Sequence, residues 1–157
     1  MKKTAILLTS LAVVAVMVLL WQALHEELVV TGQGVRTVPA EEQADQYNAW
    51  VAALKNRQFA GFEYAGSPDT AQVQFAAYTL RLRNPGLFVA ETVEIQLVSE
   101  PQDIAAYQEP SFMNIAPGRE GTLTLTLLTD AKTPLRRDLV ITYYILGRLK
   151  TMRYTLY

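Results

Sequence analysis

The sequence predicts a mainly-β protein: one antiparallel β-sandwich of about seven strands, preceded by an N-terminal transmembrane helix and one short amphipathic helix. Three observations predict it. An uncharged apolar run opens the chain, a stripe of helical period follows, and alternation of period two fills the rest. The 157 residues carry a formal net charge of −1, 50% are apolar and 18% are charged. That leaves room for one ordinary domain plus an appendage. It excludes a disordered chain, a collagen-like chain and a strongly basic nucleic-acid binder.

Residues 1–27 are read as an anchor or a signal. Lys2 and Lys3 precede an uncharged run, Thr4 to Leu24, of 21 residues. As a helix that run spans roughly 31 Å, close to the hydrocarbon thickness of a bilayer. Ten Ile, Leu or Val residues lie between Ile6 and Leu20. They favour insertion by roughly 3 to 6 kcal/mol before Thr9, Ser10 and Gln22 are set against them. A cleaved signal would end in small residues, but Trp21 is too bulky for the position two before Ala23, so an uncleaved anchor is favoured. The flanking bases put the N-terminus in the cytoplasm and the chain from about residue 25 outside. Trp21 and His25 fall where an interfacial belt would lie. A lone His25 reads more simply as a solvated interfacial residue than as a pH sensor.

Residues 28–38 hold Gly32, Gly34 and no sustained period, and are read as a linker. Residues 39–58 are read as the amphipathic helix. Pro39 opens it, Glu41 and Glu42 follow at its positive end, and Lys55 and Arg57 close it. Ala44, Tyr47, Trp50, Val51 and Leu54 recur at spacings of three and four, which makes one apolar stripe. Packing on the following domain is the simpler reading of that stripe. Docking on a partner or a membrane surface through Tyr47 and Trp50 is the alternative.

Residues 59–157 are read as the sandwich, with strands at 60–65, 72–83, 91–99, 104–108, 121–129, 138–146 and 149–157. Leu123, Leu125 and Leu127 alternate with Thr122, Thr124 and Thr126, and Leu139, Ile141, Tyr143 and Ile145 form another alternating set. In 72–83 the phase changes at Ala76-Ala77, which predicts a bulge. Asn84-Pro85-Gly86 and Pro117-Gly118 supply turn chemistry, and Gly147-Arg148 a tight hairpin. Short strands at this spacing in about 100 residues predict an immunoglobulin-like arrangement, with a small barrel as the alternative closure.

The stretch Tyr78–Gly86, then Glu91–Leu97, then Ile115-Ala116-Pro117-Gly118 ahead of Thr122–Leu127, resembles bacterial membrane-anchored immunoglobulin-like or fibronectin-III-like modules of adhesion type. The likeness covers about residues 72–146 and rests on turn chemistry. It implies a non-catalytic display or interaction unit and carries no active-site residue across.

No ordinary chemistry is assembled. There are no cysteines and one histidine, so disulfides, thiolate nucleophiles, zinc, copper and haem have no ordinary ligand set. Glu100 with Asp103, Glu91 with Glu94, and Glu41, Glu42 and Asp45 do not match a calcium loop. Ser–His and Cys–His pairs are missing, and Gly32-x-Gly34 lacks the rest of a phosphate loop. No catalytic residue, cofactor or metal is expected.

Charge suggests a surface instead. Arg136, Arg137, Arg148, Lys150 and Arg153 stand against Asp138 alone, a net +4 over the last 22 residues, and Arg81 and Arg83 lie on the polar side of a strand. Contact with an acidic envelope polymer, an anionic headgroup or an acidic partner is one reading. A solvated set that protects strand edges is the simpler one. Tyr47, Trp50 and these seven bases are the candidate interaction residues. Of Tyr143 and Tyr144 only one can face the core. The expected function is a membrane-anchored extracytoplasmic scaffold or interaction module of the cell envelope, with an envelope protein as partner and no nucleic acid. A carrier for an apolar ligand such as a lipid, and a small envelope hydrolase, are the alternatives.

Overall fold

The alternating residues of six expected strands all find sheet neighbours, and each strand lies within two residues of its expected bounds. The computed structural model describes residues 2–25, 27–56, 58, 59, 66 and 68–157. Among these, two helices and eight strands run in the order α1 (Lys2–His25), β1 (Val29–Pro39), α2 (Ala44–Lys55), β2 (Val73–Arg83), β3 (Ala90–Leu97), β4 (Asp103–Glu109), β5 (Met113–Ile115), β6 (Glu120–Asp130), β7 (Arg137–Ile145) and β8 (Arg148–Leu156). They form two four-stranded antiparallel sheets, ordered β1-β2-β6-β4 and β5-β3-β7-β8.

Inward residues of both sheets share one core. Tyr78, Leu80 and Leu82 of β2 and Leu123, Leu125 and Leu127 of β6 meet Val93 and Ile95 of β3 and Leu139, Ile141 and Tyr143 of β7. Each such aliphatic side chain, fully buried, contributes roughly 1.5 to 3 kcal/mol, an upper bound set against an extended unfolded chain.

A second, smaller core lies on the other side of the first sheet. Tyr47, Val51 and Leu54 of α2 pack with Val73 and Phe75 of β2, Ala105 of β4 and Leu128 of β6. This explains the phase change at Ala76-Ala77, where the expected bulge is absent. β2 pairs with β6 without interruption from Val73↔Asp130 to Arg83↔Glu120. Val73 and Phe75 are apolar because α2 covers the outer face of the sheet there. Further along, the same face is bare and carries Thr79, Arg81 and Arg83. A true irregularity sits instead in β3, between Glu91 and Glu94, where Thr92 adopts a φ of 49°.

Three further differences matter. Residues 28–38 are no linker: β1 pairs with β2 over most of its length. Its side chains show no apolar alternation because it is an edge strand held mainly through its backbone. β5 is three residues long, too short to show a period. Helix 39–58 begins with a 3-10 turn at Ala40–Gln43 before α2 proper. The expected strand at 60–65 lies outside the described residues.

α1 holds its helix for 24 residues. Among the described residues no helix is long and apolar enough to cross a membrane. In α1 the described side chains are Ile6 and Leu8–Gln22, a shorter stretch than the uncharged run of the sequence. The expectation of a membrane span therefore stays with the sequence.

Candidate functional site

The seven candidate bases do not converge. In the β7–β8 ladder Arg137 pairs with Leu156 and Ile145 with Arg148. Arg136 and Arg137 thus lie at one end of the ladder and Arg148 at the other, separated by roughly 25 Å of extended strand. Arg153 pairs with the half-buried Val140, on the face of β7 opposite to the buried Leu139 and Ile141. Arg81 and Arg83 project from the outer face of the other sheet. Lys150 pairs with Tyr143 on the inward-facing side of an edge strand. The run of bases in the C-terminal sequence is therefore spread over two faces and two ends.

Arg137 leaves the surface altogether, being 1% exposed. Its Nη2 donates to Asp103 Oδ1 at 2.9 Å, with both side chains fully buried, and its Nη1 stands 3.5 Å from Glu100 Oε2. Nη1 also donates to the carbonyls of Pro134 and Arg136. The other oxygen of Asp103 accepts from the Glu100 backbone N–H. Beside this cluster the Tyr78 hydroxyl donates to the Leu135 carbonyl at 2.9 Å. Burial pushes the Tyr78 pKa up, against the opposing pull of Arg137. The cluster joins β4 of one sheet to β7 of the other, and its members are occupied in holding the fold. Arg136 lies over the Tyr157 ring at 5.3 Å.

Tyr47 and Trp50 are likewise turned inward. Tyr47 is 5% exposed, and its hydroxyl donates to the Pro68 carbonyl. Trp50 contacts Phe59 at 5.0 Å and meets Phe75 edge-on at 5.3 Å between ring centres. Apart from the exposed Ala44, the stripe of α2 is covered by the chain's own sheet, as most such stripes are. Beside it a shallow hollow is lined by Arg36, Gln46, Phe75 and Thr126 among others.

No family model matches the chain. No curated protein matches it. Among solved structures, a crystal structure of a FixG-related protein from Vibrio parahaemolyticus is similar over 78% of this chain and 93% of that one, at 12% identity and a TM-score of 0.35. So distant a likeness carries no argument about fold or activity.

Two features with no signature in the sequence remain. Among the described residues no group of three or more His, Asp or Glu side chains gathers as a metal site would require. The Leu28 backbone N–H donates to the Tyr143 hydroxyl at 3.2 Å and ties the start of the β domain to its second sheet. Burial raises the Tyr143 pKa, and the hydrogen bond from Leu28 opposes that shift. The side chain of Gln108 bridges the sheets in the same manner. Its Oε1 accepts from Ile95 N–H at 2.7 Å, while its Nε2 donates to the carbonyls of Pro110 and Ser111. The side chain of His25 lies outside the described residues.

Proposed function

We propose that the chain is a single-pass, membrane-anchored protein whose immunoglobulin-like sandwich acts outside the cytoplasm as a non-catalytic interaction or scaffold module of the envelope. One observation carries the anchoring. The described side chains of α1 are exposed on every side, from Ile6 and Leu8 through Val13 and Val16 to Leu20, and most are large and apolar. A surface of that kind needs an apolar solvent. The uncharged run of the sequence, Thr4 to Leu24, is long enough to cross a bilayer. Lys2 and Lys3 before it, with Glu26 and Glu27 after it, favour a cytoplasmic N-terminus.

The immunoglobulin-like reading draws support from strand order. The first, second, sixth and fourth strands form one sheet, and the third, seventh and eighth neighbour one another in the second. That is the constant-domain pattern ABED and CFG, with β5 added beside β3. The non-catalytic reading draws support from the ionisable cluster Arg137–Asp103–Glu100, which is spent on joining the sheets rather than lining a cleft.

Membranes from cells making the full chain test this. Resistance to alkaline carbonate extraction, digestion of the β domain by protease added from the extracytoplasmic side, and a specific crosslinked partner are expected. Release by carbonate, or protection of the domain from that protease, overturns the anchoring. A crosslinking survey with no specific partner overturns the interaction role.

A further inference from the structure

Several large apolar side chains stand exposed on the loops nearest α1. Strand β2 ends at Arg83 and β3 begins at Ala90, so the connection 84–89 lies at the same end as the start of β1, which pairs Val29 with Arg83. The β7–β8 turn lies there too, because Tyr144 pairs with Glu91 at the start of β3. Leu87 is 53% exposed, Leu146 55% and Leu149 59%, with Val89 beside them at 40%.

Leu146 adds a second observation. With Gly147 it forms the two-residue turn of the β7–β8 hairpin, at φ values of 50° and 72°. A left-handed φ suits Asn, Asp or Gly, so a leucine held there is strained. Water gives no reason to keep a strained leucine at an exposed tip. The opposite end contrasts with it. Its connections carry Glu100, Lys132 and Arg136, and among the described residues its exposed large apolar groups are Val98 and Tyr157, the latter beneath Arg136.

Covalent reach supplies the reason. Only Glu26 and Glu27 separate His25, the last residue of α1, from Leu28, which is buried and bonded to Tyr143. Three Cα steps reach at most about 11 Å. The polar layer of one leaflet is about 5 to 8 Å deep. If α1 spans the bilayer, that reach exceeds the depth of the polar layer by only a few ångströms, which holds this end of the domain at or beside the headgroups.

We infer that the α1-proximal end, through Leu87, Val89, Leu146 and Leu149, is seated in the headgroup layer of the bilayer that holds α1. The domain is then fixed against the membrane rather than swinging on a tether. The inference rests on the anchoring proposed above. Arg83, Arg119 and Arg148 at this end are equalled in number by Glu27, Glu91 and Glu120, so the contact is argued as apolar and zwitterionic lipid suffices.

The full chain has no cysteine, so single labels can be placed directly. Leu149→Cys, Leu87→Cys, Val13→Cys and Lys132→Cys, each carrying an environment-sensitive fluorophore, are reconstituted in phosphatidylcholine vesicles. Headgroup-region nitroxide lipids are expected to quench the labels at 149 and 87 about twofold or more beyond the label at 132, and aqueous iodide to quench them less. Deep acyl-chain nitroxides are expected to quench the label at 13. If 13 is quenched while 149 and 87 match 132, the anchor stands and the seating is overturned. If 13 is not quenched, the anchoring fails and the seating with it. Shielding of 149 and 87 from iodide without quenching by nitroxide lipid means a protein covers this end, which also overturns the inference.

Discussion

Arg137 on β7 and Asp103 on β4 meet at 2.9 Å with no solvent exposure of either side chain, and so bind one sheet to the other at the end far from α1. Removing one partner leaves a buried charge uncompensated. Asp103→Asn and Arg137→Met are each expected to lower stability by about 3 to 5 kcal/mol in urea unfolding of the full chain in detergent. The double variant is expected to lose less than the sum. A loss below about 1 kcal/mol for either single change would mean that the pair contributes only as an exposed one does.

Alkaline pH acts on Tyr78 and Tyr143. Burial raises both pKa values above the ordinary value of 10.0. The unfolded chain then gives up these protons first, so stability is fully present below about pH 10 and is lost as pH rises through the raised folded values. Thermal melts from about pH 9 to about pH 12 should show that decline. Tyr143→Phe leaves the Leu28 N–H without its acceptor, costing about 1 kcal/mol at neutral pH, and should make the alkaline decline shallower. An unchanged slope would exclude Tyr143 as a source.

Gln108 satisfies Ile95 N–H across the gap between the sheets. Gln108→Ala is expected to cost about 1 to 3 kcal/mol, since a part-buried donor is orphaned. Hydrogen exchange at the Ile95 amide should accelerate more than at Ile141, which lies inside the β7 ladders. Equal acceleration at both sites would indicate general loosening instead.

Trp50 holds α2 against the first sheet through Phe59 and Phe75. Trp50→Ala is expected to cost about 2 to 4 kcal/mol, below the full-burial range because the indole is half-buried. Limited proteolysis should then cut within 40–55 well before the strands. Cleavage spread evenly over the domain would count against local undocking.

Leu146 is strained at its turn. Leu146→Gly is expected to raise stability by about 0.5 to 1 kcal/mol in detergent. A loss of stability there would show that the leucine side chain packs within the domain.

Strands whose two faces meet different solvents were legible from residue order. β6 and β7 show period two because one side meets the core and the other meets water or a neighbour. The stripe of α2 was legible for the same reason. β1 was not, because an edge strand joined through backbone hydrogen bonds needs no particular side chains, and Gly32 and Gly34 resembled a linker. The change of phase in β2 was visible but misread. Periodicity reports that a residue is covered and cannot say whether a second sheet or a helix covers it.

Local order along the chain was thus enough for a mainly-β domain, a stripe-bearing helix and an uncharged leader, because each depends on neighbours within a few residues. Where the bases would stand depended on folding. Arg136, Arg137 and Arg148 lie within thirteen residues of one another. A hairpin carries them to opposite ends, and the crossing of β4 to β7 sinks Arg137 onto Asp103. Charge acts through space, and distance in space is set by strand pairing rather than by position along the chain.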